Sequence, residues 1–206
     1  MYTNKSKWLK NPVFEEFRFP LSKTNLDIIT RAGQTMRFAE GVSQYRNVGL
    51  ASNQIGSYKR FFVMEKVYQY PDGSFYKKDS DDIVYCMNPA IIDSSSEKND
   101  FWENCVSDPS IQAYVNRSEK IVVKFFDRNG ARIIEELEGM NARVFQHEYD
   151  HLNGRLMVDL AQKVRVYDEW PEYKKILREK QKKMVKGSGS RRLSNRRPSK
   201  FSFLPK

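Results

Sequence analysis

The chain has 206 residues but only 2 cysteines and 2 histidines, and both scarcities exclude something. Cys86 and Cys105 cannot build the disulfide framework of a small secreted domain, and no Cys-x-x-Cys pair offers a structural zinc site. A reducing, cytoplasmic setting is the expectation. No stretch approaches the roughly 18 apolar residues of a membrane-spanning helix, and the opening segment MYTNKSKWLKNPVFEEF has no apolar run of signal-peptide length and carries acids early. A soluble protein is therefore expected. Core formers are plentiful: 13 Phe, 3 Trp and 11 Tyr within a 39% hydrophobic composition exclude a collagen-like or wholly disordered chain.

Charge is unevenly spread. Of 36 Lys/Arg and 26 Asp/Glu, 15 and 4 lie from Lys163 onward, so that segment carries +11 of the +10 total and residues 1–162 carry −1. A basic recognition face on the body is excluded; a neutral enzyme or binding domain with an electrostatic anchor fits.

Residues 25–40 place Ile29, Ala32, Met36 and Ala39 on one helical face, with Asn25 as the expected cap and an unfavourable Gly33 inside. Two apolar strands are expected in 60–70 and 81–92 around the turn Pro71-Asp72-Gly73-Ser74, and a hairpin in 119–127 and 131–139 around Asn129-Gly130. Residues 139–151 form a helix whose stripe is Met140, Val144, His147 and His151. A charged helix is expected from Pro171 to Gly187, followed by a disordered Ser/Gly/Arg-rich tail. These boundaries divide the chain into a catalytic body (1–162), a basic C-terminal helix segment (163–186) and a tail (187–206).

Both histidines fall in His147-Glu148-Tyr149-Asp150-His151. On a helix, a spacing of four puts both imidazoles on one face, where they can share a metal, with the Glu148 carboxylate beside them. A catalytic metal needs a third protein ligand and an open position. The metzincin position is Met157, which excludes that route. A downstream carboxylate, Glu169 or Glu172, would give a thermolysin-like peptidase, and Cys105 would give a thiolate site; spacing alone leaves both open.

Three stretches bear on that choice: Asn47-Val48-Gly49-Leu50-Ala51-Ser52-Asn53-Gln54, Glu103-Asn104-Cys105-Val106-Ser107, and Gln146-His147-Glu148-Tyr149-Asp150-His151-Leu152-Asn153-Gly154. In order and interval they resemble the peptide deformylase motifs GΦGΦAAxQ, EGCΦS and QHExDHLxG, where Φ is apolar. MNPAI at 87–91 and LKNPV at 9–13 add to the likeness, which covers most of residues 8–160. The resemblance implies an α+β fold with antiparallel sheets around a central helix carrying the HExxH motif, plus an N-terminal helix and a basic C-terminal helix. It implies Cys105, His147 and His151 as ligands of one divalent ion, usually Fe²⁺, with Zn²⁺, Ni²⁺ or Co²⁺ as substitutes. It implies Glu148 as acid and base, and the Gln54 amide and Val106 N–H as donors to the formyl oxygen. The implied substrate is an N-formylmethionyl nascent peptide lying extended along Val48, Gly49, Glu103 and Asn104. Its methionine would meet Met140 and Val144, for which ordinary core packing is the competing reading. The implied products are formate and a free N-terminus. Asn47, Ser52 and Asn104 depart from the motifs; Asn tolerates positive φ, which would preserve the backbone path at the two glycine positions.

Cys86 reads as a buried strand cysteine, and Arg117, inside the sequon Asn116-Arg117-Ser118, as a structural partner of a carboxylate near the site. Some members of the family dock on the ribosome through a C-terminal basic helix, and residues 171–206 look similar; ribosomal RNA phosphate would attract such a tail, and a merely solvated tail is the competing reading. An RNA-binding module with a structural metal remains the alternative from another class.

Overall fold

In the computed structural model, residues 13–39, 48–70, 75–76 and 83–166 are described. Helix α1 spans Lys23–Ala39. Its cap is Ser22, whose hydroxyl accepts the Asn25 N–H at 3.2 Å, so the helix begins ahead of the expected Asn25. Ile29, Ala32 and Met36 are buried as the periodicity requires. Gly33 has a packing reason, because a Cβ there would come within 2.9 Å of the Tyr85 hydroxyl.

A five-stranded antiparallel sheet follows the order β1-β2-β5-β8-β9, with β1 at Gly49–Ala51, β2 at Phe61–Glu65, β5 at Ile83–Ser94, β8 at Lys120–Phe126 and β9 at Arg132–Glu138. Every residue of β2 is buried because both sheet faces are covered. Phe61 and Val63 join Ile29, Ala32 and Met36 of α1, whereas Phe62 and Met64 join Val144, Phe145 and Leu152 of helix α2, Gly139–Leu152. The expected hairpin is β8–β9, closed by Gly130 at φ 83°. Buried Cys86 lies in β5, as anticipated.

Three differences from the sequence reading have physical causes. The expected strand over 60–70 is two: after β2, Asn141 takes both backbone groups of Val67 at 2.8 and 2.9 Å, and β3 (Tyr68–Gln69) then pairs separately with β4 (Phe75–Tyr76). A second, three-stranded sheet, β10-β7-β6, is built from strands that the residue pattern does not announce. Its β6 (Lys98–Cys105) and β7 (Asp108–Ser118) form a long hairpin. The third strand, β10, is Lys163–Val166, so the first four residues assigned to the basic helical segment are extended. Arg165 there lies 3.9 Å from the Trp102 ring centroid and donates to Gln112 at 2.8 Å. The described residues up to Arg165 belong to one compact unit. The helix expected from Pro171, the tail beyond it, Glu169, Glu172 and Asn47 lie outside the described residues. Among the described residues no helix is long and apolar enough to cross a membrane.

Candidate active site

Helix α2 is tied down at both ends. It starts at Gly139, φ 57°, whose N–H donates to Glu119 O at 2.9 Å. At its C-terminus Arg60 donates to Leu152 O at 3.3 Å and Asn53 Nδ2 to His151 O at 2.8 Å, satisfying carbonyls that a helix end leaves open. His147 and His151, one turn apart, present rings 5.0 Å apart and nearly perpendicular. Cys105, the last residue of β6, brings its Sγ to 3.2 Å from His151 Nε2. One donor atom from each of these three buried residues lies within 4.8 Å of the others, a set that can hold a metal ion. Among the described residues the third donor beside the histidines is thus Cys105.

Glu148 is 4% exposed, and its Oε2 has no hydrogen-bond partner. A buried orphan carboxylate oxygen beside two imidazoles and a thiol suits a site that admits water and a cation. Burial pushes its pKa up to about 7, which the two imidazoles only partly oppose. Gly49 backs this carboxyl: a Cβ there would sit 2.8 Å from Glu148 Cδ. Burial also tends to raise the Cys105 thiol, but His151 and His147 outweigh it and hold it well below its usual value. Gln54 is fixed by both ends of its amide: Oε1 accepts the Ala51 N–H at 2.7 Å, and Nε2 donates to Ser107 Oγ at 3.0 Å and approaches Cys105 Sγ at 3.6 Å.

The sequence pattern of the Polypeptide deformylase family matches residues 9–166. The chain belongs to that family. It is 34% identical over 154 residues to a peptide deformylase of Carboxydothermus hydrogenoformans, covering 75% of this chain and 90% of that protein. The crystal structure of peptide deformylase from Thermotoga maritima superposes with a TM-score of 0.60 at 34% identity, over 75% of this chain and 91% of that one. A Met-Ala-Ser-bound peptide deformylase from Acinetobacter baumannii gives 0.64 at 26% identity, over 76% and 94%. The enzyme removes the N-formyl group from nascent peptides, and its fold is of the deformylase type, with antiparallel sheets and few helices.

Around the deformylase's donor trio lies a buried charge network of Glu103, Arg117, Arg143, His147 and Asp150. Arg117 pairs with carboxylates, as anticipated: Nε and Nη2 meet Glu103 at 2.5 and 2.9 Å, and Nη1 meets Asp150 at 2.7 Å. Glu103, expected beside the substrate strand, has its carboxylate engaged by Arg117, by Arg143 at 2.6 Å and by His147 Nδ1 at 2.8 Å. Burial opposes its ionisation, but His147 and Arg117 hold its pKa far below the usual range. Asn104 is half-buried and, unlike Asn88 at φ 49°, has no positive φ, so the motif glycine is replaced there without a left-handed backbone. Val48 accepts the Glu65 N–H at 2.9 Å beside β1. Val106 occupies the β6–β7 turn, its side chain against the α1-side cluster. Val144 is buried in the α2-side cluster, with Met140 packed on it. The sequence pattern alone assigns no role to Arg143, Asp150 and Ser107. The signal for Arg143 was available: a charge four residues before His147, on a helix face that had to be buried.

Proposed function

We propose that Cys105, His147 and His151 hold one divalent ion, Fe²⁺ in preference to Zn²⁺, Ni²⁺ or Co²⁺, and that Glu148 carries the proton in deformylation. The observation that supports this is the unpartnered, buried Oε2 of Glu148 between the two histidines, beside a thiol held toward thiolate. When bound, the ion supplies a Lewis acid that acidifies water and polarises a carbonyl. Glu148 takes the proton of the water that attacks the formyl carbon and returns it to the departing amine nitrogen, so formate and a free N-terminus leave. Gln54 Nε2 and the Val106 N–H donate to the oxygen on which negative charge develops. Gln54 suits this task because Ala51 holds its Oε1 and so turns the NH₂ toward Cys105.

The formylmethionyl peptide adds as a strand along Val48, Gly49 and Asn104. Strands β1 and β6 are both sheet edges, which is what strand addition needs. The Met-Ala-Ser peptide named for the Acinetobacter baumannii relative has the same starting residue. Met140, Val144 and His147 form the methionine side of the site. The enzyme works in the cytoplasm, and the segment from Lys163 onward, which carries +11, contacts ribosomal RNA by phosphate attraction. The metal assignment is tested by measuring metal per chain: Cys105→Ala loses the ion and Glu172→Ala keeps it. The reverse result would make the site thermolysin-like.

A further inference from the structure

The three donors come from separate pieces of chain. Cys105 ends β6 at the tip of the β6–β7 hairpin, His147 and His151 sit on α2, and no disulfide joins hairpin to helix. Two guanidinium groups cross between them in opposite directions. Arg117 of β7 reaches Asp150 of α2 at 2.7 Å. Arg143 of α2 reaches back to both strands of the hairpin. Its Nη1 donates to Glu103 Oε1 at 2.6 Å and to Val115 O at 3.0 Å, and its Nη2 donates to Asn99 O at 2.8 Å and to the Asn99 side chain. The Glu103 oxygen that does not meet Arg143 accepts from His147 Nδ1, which is one helical turn from Arg143.

We propose that Arg143 is a positioning residue: it clamps the cysteine-bearing hairpin to the histidine-bearing helix, and thereby sets how long the enzyme retains its metal. The inference rests on the Cys105, His147 and His151 reading. The clamp depends on shape as well as charge. Four acceptors on Glu103, Asn99 and Val115 are spread around one planar fork, which a guanidinium can span and the single ammonium of lysine cannot. Groups that orient a metal-binding imidazole through its second nitrogen are worth roughly 10–100-fold in metal affinity. Arg143 acts at that position through Glu103 while also holding the backbone that leads to Cys105. Arg155 is the internal control. It meets the same network at Asp150 Oδ1 at 2.8 Å, but its side chain is 53% exposed.

The test uses the full chain loaded with Co²⁺, followed by the thiolate-to-metal absorption band, which reports the bond to Cys105 rather than overall folding. In excess chelator, Arg143→Lys and Arg143→Met are expected to lose the band roughly 10–100 times faster than the unaltered enzyme, while Arg155→Gln loses it at the unaltered rate. Should Arg143→Met fail to fold, Arg143→Lys, which keeps the buried charge, decides. Retention at the unaltered rate in Arg143→Lys overturns the clamp, as does equally fast loss in Arg155→Gln, which would mean general loosening. If the unaltered enzyme shows no thiolate band, or Cys105→Ser leaves the band in place, the metal reading itself fails and the inference with it.

Discussion

The two faces of the five-stranded sheet are built by different rules. On the α1 side, Phe17, Ile29, Ala32, Met36, Phe61 and Val63 form an apolar cluster, and charge enters at its rim, where Arg37 meets Glu65 at 3.3 Å. On the α2 side an apolar cluster is joined by Glu103, Arg117, Arg143, His147, Glu148, Asp150 and His151, all buried. The first face needs only volume and hydrophobicity. The second keeps ionisable groups out of water, which is tolerable because nearly every one has a polar or charged partner. Glu148 and His151 are the exceptions, with Oε2 and Nδ1 left without a hydrogen-bond partner. The contrast teaches where the fold places its stability and where it places reactivity.

Substitutions on the two faces should therefore separate stability from chemistry. The largest expected effect is on the apolar face. Phe61 is fully buried and packs edge-on against Phe17 at 5.7 Å, so Phe61→Ala should cost about 3–5 kcal/mol in denaturant unfolding. Formate release per folded molecule should be unchanged. A selective loss of turnover without loss of stability would break the comparison.

On the polar face the sign reverses. Burial raises the Glu148 carboxyl from its ordinary 4.5 to about 7, so its ionisation weakens the metal-free fold. Stability from this group is intact below about pH 4.5 and lost as pH rises through about 7, a difference of about 3 kcal/mol. Glu148→Gln, always neutral, should match the unaltered metal-free chain at low pH and exceed it by about that amount at pH 8. A gap that does not change with pH would contradict the assignment.

Somewhat smaller, and purely chemical, is the expected effect of Gly49→Ala. The added Cβ meets the Glu148 carboxyl, and a displacement of about 1 Å at a reacting group can cost roughly 100-fold in rate. The unfolding midpoint should move little. Unaltered turnover would show that Gly49 does not set the carboxylate's place.

What the sequence made legible were the features with local causes. The stripe Ile29, Ala32, Met36 announces α1, Asn129-Gly130 announces the β8–β9 hairpin, and two histidines four apart on a helix must share a face. The β6–β7 hairpin was not legible because its inward positions break the apolar alternation. Ile111, Ala113 and Val115 point inward, but so do Arg117 and Glu103, whose partners lie on α2, far along the chain. The third donor was open for the same reason. Cys105 meets His151 only once that hairpin folds against the helix. Resemblance to the deformylase motifs selected Cys105, and the three-residue grouping agrees with it. The first turn of α1 and the strand Lys163–Val166 depended on contacts of Ser22 and Arg165 that periodicity does not carry.

The most direct test of the central claim is formate release from formyl-Met-Ala-Ser by the metal-loaded full chain, measured together with bound metal, for the unaltered enzyme and Glu148→Ala. The account predicts release by the unaltered enzyme and a fall of roughly 100- to 10,000-fold in Glu148→Ala, with the metal retained. Formate release that persists undiminished in Glu148→Ala would contradict the role of Glu148 as the proton carrier.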